Sequence, residues 1–285
     1  MIKYLSMDLR RLFRTKSFYV SMLIIIIFLS IFATASYYVE GMAEEMLPPG
    51  SHAVPSQVLD QVRKLITFNF FFSFFFSIPG MRMHHVLLAL FAAGYLSKEH
   101  HTGYLKNLFC LPRMREKWMV SKSLTVFIAA IVYYMVFALA CVVALMLYGN
   151  PMVIHLSEIL PFIAGQVLVD MALFSLIMVM VMLLQSKAAA VITALILSLN
   201  IQSLLYLLID WLNVLPFKLI RYGMMNLASK AQIPGSMSSL MNQSGMQFSQ
   251  GAPVGDNILY LVAGCVFALS LLLSWFLFRR VDYKN

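Results

Sequence analysis

Residues 21–35 read SMLIIIIFLSIFATA, an uncharged apolar run with no proline or glycine in it. Runs of this kind recur along the 285 residues and limit the chain more than any other feature. Hydrophobic residues make up 61% and charged residues only 12%, about half the usual globular share of charge. A fold in water cannot enclose that much apolar surface, so the solvent for most of the chain is a bilayer. Six spans are predicted: Phe18 to Val39, one ending at Leu96, Val120 to Tyr148, Leu160 to Leu184, Ala188 to Trp211, and Ile258 to Phe278. Each supplies the ~20 residues that, at ~1.5 Å per residue, cross a ~30 Å hydrocarbon core. Backbone polar groups in lipid need internal partners, so the predicted class is all-α and polytopic, one transmembrane domain over residues 1–285.

Two stretches qualify this layout. The basic start, the apolar run and Ala33-Thr34-Ala35 imitate a signal peptide, but the run and its polar leader are both too long, and the leader is read as retained. The second span begins somewhere between Ile66 and Met83. Pro79-Gly80 interrupts ITFNFFFSFFFSI at 66–78. The reading preferred here is a short outer interfacial helix followed by a span starting near Met81.

Orientation follows from Lys and Arg. Of 21 such residues, most fall on one side: Lys3, Arg10, Arg11, Arg14 and Lys16 in the leader, Lys98 to Lys122 after the second span, then Lys187, Arg279, Arg280 and Lys284. Both termini are therefore expected in the cytoplasm. The net charge of +9 reflects this bias and attraction to anionic lipid, and implies no nucleic-acid partner. The three cysteines form no disulfide framework, and the spacings of metal-binding Cys and His motifs are absent, so neither a metal nor a resident cofactor is expected.

Between the second and third spans lies YLSKEHHTGYLKNLFCLPRMREKW, residues 95–118. Tyr104, Leu105, Leu108 and Phe109 recur at helical spacing, with Lys106 and Asn107 turned away. Leu111-Pro112 then ends the helix. A short amphipathic helix below the membrane is either a docking element or a lipid-surface helix. The leader repeats the theme: Ile2, Leu5, Leu9, Leu12 and Phe13 share one face, and Lys3, Arg10 and Arg14 another.

The run Glu99-His100-His101-Thr102-Gly103, then Lys106-Asn107-Leu108, then Arg113 and the basic approach to Lys122, resembles the first cytoplasmic loop of ABC exporter permeases of the second type. In that family a glutamate closes the second span and a glycine follows four residues later. A helix with Lys and Leu, a Pro-x-x-Arg-like turn and a lysine opening the third span come next. Here Tyr104 stands where threonine is common, and Thr102 precedes the glycine instead. The resemblance implies that residues 1–17 form an elbow helix beside an ATPase and that residues 97–119 form a coupling loop. It also implies an outer segment at 213–257 and a plasma-membrane location.

The same resemblance implies a homodimer, or a pairing with a sister permease, and export of a hydrophobic or amphipathic substrate such as a peptide, drug or lipid-like molecule. The sequence contains no Gly-x-x-x-x-Gly-Lys-[Ser/Thr] phosphate loop, so ATP and Mg are expected on a separate partner subunit. Glu99 would then sit at the hinge, bonded to basic residues of the leader, and Gly103 would allow the turn. Leu105, Leu108 and Phe109 would fill a groove on the ATPase beside Lys106. Arg113, Arg115 and Lys117 would face its acidic rim or lipid phosphates.

Polar residues inside spans are costly and functional or fastening by default. Gln166 and Asp170 in the fourth span, and Asn200 and Gln202 in the fifth, either line a substrate path or bond helix to helix. Arg82, His84 and His85 are placed to pair with Asp170 or Asp210. The methionines of 213–257 read as apolar filler rather than a copper site. No nucleophile–base set suggests an enzyme. Two rivals remain: an ion-gradient-driven transporter using Asp170, for which no internal repeat is evident, and a membrane scaffold or sensor.

Overall fold

The computed structural model describes residues 2–45, 72, 83–101, 114–147, 156–184, 186–212, 223 and 256–280. The elements among them are helices: α1 (Ile2–Arg14), α2 (Lys16–Glu45), α3 (Met83–His101), α4 (Met114–Leu147), α5 (Leu156–Leu184), α6 (Lys187–Ser198), α7 (Gln202–Trp211) and α8 (Asp256–Arg280). Helix covers both ends of the expected coupling loop 97–119. Helix α3 continues through Glu99 to His101 and α4 already starts at Met114. Residues 102–113, the outer segment 213–222 and 224–255, and the aromatic stretch 66–71 lie outside the described residues.

Helix α1 is amphipathic, as its sequence predicts, and its apolar face docks on protein. Leu12 is fully buried, and Tyr4 and Leu9 pack against the same core. Thr15 separates α1 from α2. Its N–H bonds to the Leu12 carbonyl, its carbonyl accepts from the Phe18 N–H, both at 3.0 Å, and its hydroxyl donates to the Arg11 carbonyl at 2.7 Å. Such local bonds compete with a continuous helix. Phe18 then anchors the corner, its ring 5.4 Å from both Phe91 of α3 and Tyr133 of α4.

Helix α5 is the most enclosed of the long apolar helices, with 72% of its apolar window buried against 22% in α8. Gly165 of α5 lets α8 approach: a Cβ there would lie 3.2 Å from Leu259 Cδ2. The Tyr260 hydroxyl donates to the Pro161 carbonyl at 2.5 Å beside this contact. Ser175 of α5 and Ser270 of α8 join further along.

Of the six expected spans, the described residues account for four or five. Among the described residues four helices are long and apolar enough to cross a bilayer: Lys16–Ala35, Glu116–Leu147, Ile159–Leu184 and Asn257–Leu277. A fifth is reached if α6 and α7 count together. Helix α3 falls short because His84 and His85 at one end and Lys98 and Glu99 at the other dilute its apolar middle.

The expected continuous span Ala188 to Trp211 is broken. Helices α6 and α7 bend by 56° at Asn200, whose φ is 60°. Asparagine tolerates that left-handed conformation better than the β-branched and leucine neighbours would. At the break the Leu197 carbonyl accepts from the Asn200 N–H at 3.2 Å and from the Gln202 side-chain amide at 3.3 Å. Beyond the break, α7 has no buried residue, and Leu204, Leu205, Leu208 and Trp211 are all exposed, a surface suited to lipid.

Candidate functional site

Two buried polar clusters occupy the α3–α4 seam. The first stands where α3 ends and α4 begins. On α1, Asp8 falls between Leu5 and Leu12 on the apolar face, so packing that face carries a carboxylate inward; Asp8 is 3% exposed. On α4, Lys122 is fully enclosed at 0% exposure. Its ammonium donates to Asp8 Oδ1 at 2.8 Å, Glu99 Oε1 at 2.7 Å and the Tyr95 hydroxyl at 3.1 Å. It also lies 4.2 Å from the Tyr95 ring centroid, within cation–π range.

The two carboxylates are satisfied further. The Ser121 hydroxyl donates to Asp8 Oδ2 at 2.6 Å and the Trp118 indole N–H to Glu99 Oε2 at 2.6 Å. Arg11 Nη1 reaches Glu99 Oε1 at 3.0 Å from a side chain 43% exposed. Lys122 and Arg11 balance Asp8 and Glu99, so the cluster is neutral as a whole. A buried charge demands such pairing and hydrogen bonding.

The second cluster lies midway along α5. Asp170 Oδ1 is 2.6 Å from His85 Nδ1, and His85 Nε2 is 3.1 Å from Gln166 Oε1. A carboxylate only accepts, so His85 Nδ1 carries a proton toward Asp170. The Tyr134 hydroxyl donates to Asp170 Oδ2 at 2.8 Å, and His84 Nε2 is 3.4 Å from the same oxygen. The His84 and Tyr134 rings are in contact at 4.2 Å between centroids. Asp170, Gln166, His84 and His85 are all buried. One carboxylate thus ties α3, α4 and α5 together.

Several expectations can be placed. Glu99 is bonded to a basic residue of the leader, Arg11, as expected of it. Arg10, Arg11 and Arg14 are all exposed on α1, and Arg11 reaches inward to Glu99. Of the two acidic partners open to His84 and His85, Asp170 holds both. Gln166 and Asp170 meet through His85, whereas Asn200 and Gln202 build the α6–α7 break. Gly103, Leu105, Lys106, Leu108, Phe109 and Arg113 lie outside the described residues, as does Arg82. Sequence reasoning overlooked Asp8, Tyr95, Trp118 and Tyr134. Only Asp8 left a signal: an acidic residue at i+3 from Leu5 and i−4 from Leu12 sits on the face that must be buried, and so calls for a cation.

Long apolar helices packed around buried polar clusters define a multi-pass membrane protein. Residues 5–206 match the family described as ABC-2 family transporter protein. The match runs from within α1 through the first half of α7, including both clusters and the segment between α3 and α4. The chain belongs to this family of membrane transport components. No curated protein matches it significantly.

Proposed function

We propose that the chain is the membrane-spanning permease subunit of an ATP-driven exporter, powered by a separate ATPase that carries the ATP and Mg. The observation that carries this reading is the family match across residues 5–206, which takes in the amphipathic leader and the basic segment after α3. In this reading six segments cross the plasma membrane, with α6 and α7 together as a broken fifth and α3 completing the second. Both termini and residues 102–113 face the cytoplasm, where the excess of Lys and Arg places them. Helix α1 lies at the interface with Arg10 and Arg14 toward headgroups or the ATPase.

The ATPase grips residues 102–113. Leu105, Leu108 and Phe109 enter its groove, Lys106 and Arg113 flank them, and Gly103 provides the turn after Glu99. Nucleotide-driven closure then biases the bundle between two arrangements. Two copies, or this chain and a sister permease, enclose the path of a hydrophobic or amphipathic substrate. Asn200 and Gln202, at the break in α6–α7, are assigned to that path. Gln166 and Asp170 are assigned to holding helices together.

The test is co-purification. A separate ATPase should be retained by the wild-type chain and released by Leu108→Asp with Phe109→Asp, with membrane insertion unchanged. Transport that persists without any ATPase and is lost in Asp170→Asn would instead establish an ion-driven carrier.

A further inference from the structure

We propose that Lys122 is a positioning residue for energy coupling. It fastens α1 and the adjoining ends of α3 and α4 into one rigid unit, so that force on residues 102–113 moves all three together. The idea rests on the reading of that segment as the ATPase contact, but its structural half stands on geometry alone.

The helix ends on either side of residues 102–113 form two stems. Glu99 sits in the last turn of α3, and Trp118 and Lys122 in the first turns of α4. Their bonds to Glu99, at 2.6 and 2.7 Å, close the stems on each other. A push on the segment therefore reaches a joined pair, not two helices free to splay. Helix α1 is drawn in by the same ammonium. An ammonium has three protons to donate, and those of Lys122 meet three acceptors, one on α1 and two on α3. The side chain is wholly enclosed. Parting any of the three helices strands a buried charge, which is far costlier than moving the unit whole. Arg11 adds a second tie from α1 to Glu99 at the rim.

The experiment uses the full chain with its co-purified ATPase in nanodiscs, with Cys110, Cys141 and Cys265 replaced by alanine. Spin labels go on exposed positions of α1 and α4, through Ser6→Cys and Val120→Cys. A further pair, Val120→Cys with Leu273→Cys, spans α4 and α8. With MgATP and vanadate the Ser6–Val120 distance should stay fixed while the Val120–Leu273 distance changes. Without nucleotide, Lys122→Met should broaden the Ser6–Val120 distribution. Asp8→Asn, which removes only the α1 carboxylate that Lys122 holds, should broaden it too and covers the case in which Lys122→Met does not fold.

A wild-type Ser6–Val120 shift of about one helical turn, ~5 Å, overturns the proposal, as does a distribution left narrow by the substitutions. If no ATPase binds, or MgATP with vanadate moves neither pair, the docking reading fails. The nucleotide-free variants then decide the clamp by themselves.

Discussion

Next to residues 102–113, α3 and α4 are joined by charges, and α1 supplies two of them. Midway along α5 the same two helices are joined by imidazoles and a tyrosine converging on a single carboxylate. The first cluster balances two cations against two carboxylates, and Arg11 keeps it in touch with the surface at 43% exposure. The second is enclosed on every described side, and Asp170 depends on donors from α3 and α4. The difference teaches a division of labour. Removing charge from the first should free an element, α1, from an intact bundle. Removing it from the second should loosen the bundle itself.

Lys122→Met breaks the comparison most severely. It leaves Asp8 and Glu99 buried without their shared cation, a loss worth about 3–5 kcal/mol. Adding Asp8→Asn removes one of the stranded charges and should recover about 1–2 kcal/mol. Thermal unfolding of the detergent-solubilised protein checks both, and hydrogen exchange should rise chiefly in α1. A double variant no more stable than the single one would mean that Lys122 acts by filling space, not by charge.

Asp170→Asn comes next, at about 2–3 kcal/mol, because hydrogen bonds to a charged acceptor are weakened without leaving a cavity. Here hydrogen exchange should rise across α3, α4 and α5 and leave α1 protected. Exchange confined to one helix would contradict the role given to Asp170 as the tie among three.

A matched pair sharpens the contrast. Trp118→Phe and Tyr134→Phe each delete one donor to a buried carboxylate. Glu99 keeps Lys122 and Arg11 in the first case, whereas Asp170 keeps, among the described residues, the two histidines of α3 in the second. Both should cost roughly 1–2 kcal/mol, with Tyr134→Phe the more harmful by melting temperature. The reverse order would show that the loop-proximal cluster, not the middle one, is closer to its limit.

How far the sequence could be read follows the same physics. Uncharged runs such as SMLIIIIFLSIFATA declare helices in lipid by themselves, since length and hydropathy decide that. The tie between Glu99 and the leader, and that of His84 and His85 to an intramembrane Asp, were legible because each charge in an apolar setting requires a partner. Which partner was a matter of tertiary packing: the choice of Asp170 over Asp210, or of Asp8 for Lys122, depends on helix faces that meet only in the fold. Asp8 was hidden by reading α1 as two faces, basic and apolar, and overlooking the carboxylate on the apolar one. The break at Asn200 was hidden because an apolar run of span length outweighs one asparagine in any hydropathy average.

That break gives the smallest effect and a reference for both clusters, since no ion pair is built into it among the described contacts. Asn200 holds φ at 60°, where a Cβ-bearing residue is strained and glycine is not. Asn200→Ala should therefore cost about 1 kcal/mol, and Asn200→Gly should stay within a few tenths, about 0.3 kcal/mol, of the parent. Neither should alter exchange in α1 or α3. The two substitutions differ by one methyl group, so a gap between them isolates backbone strain from any bond the asparagine makes. Equal losses would instead assign the asparagine amide the role of holding α6 to α7. The bend would then be a third polar fastening rather than a conformational one, and the division between two clusters would have to become a division among three.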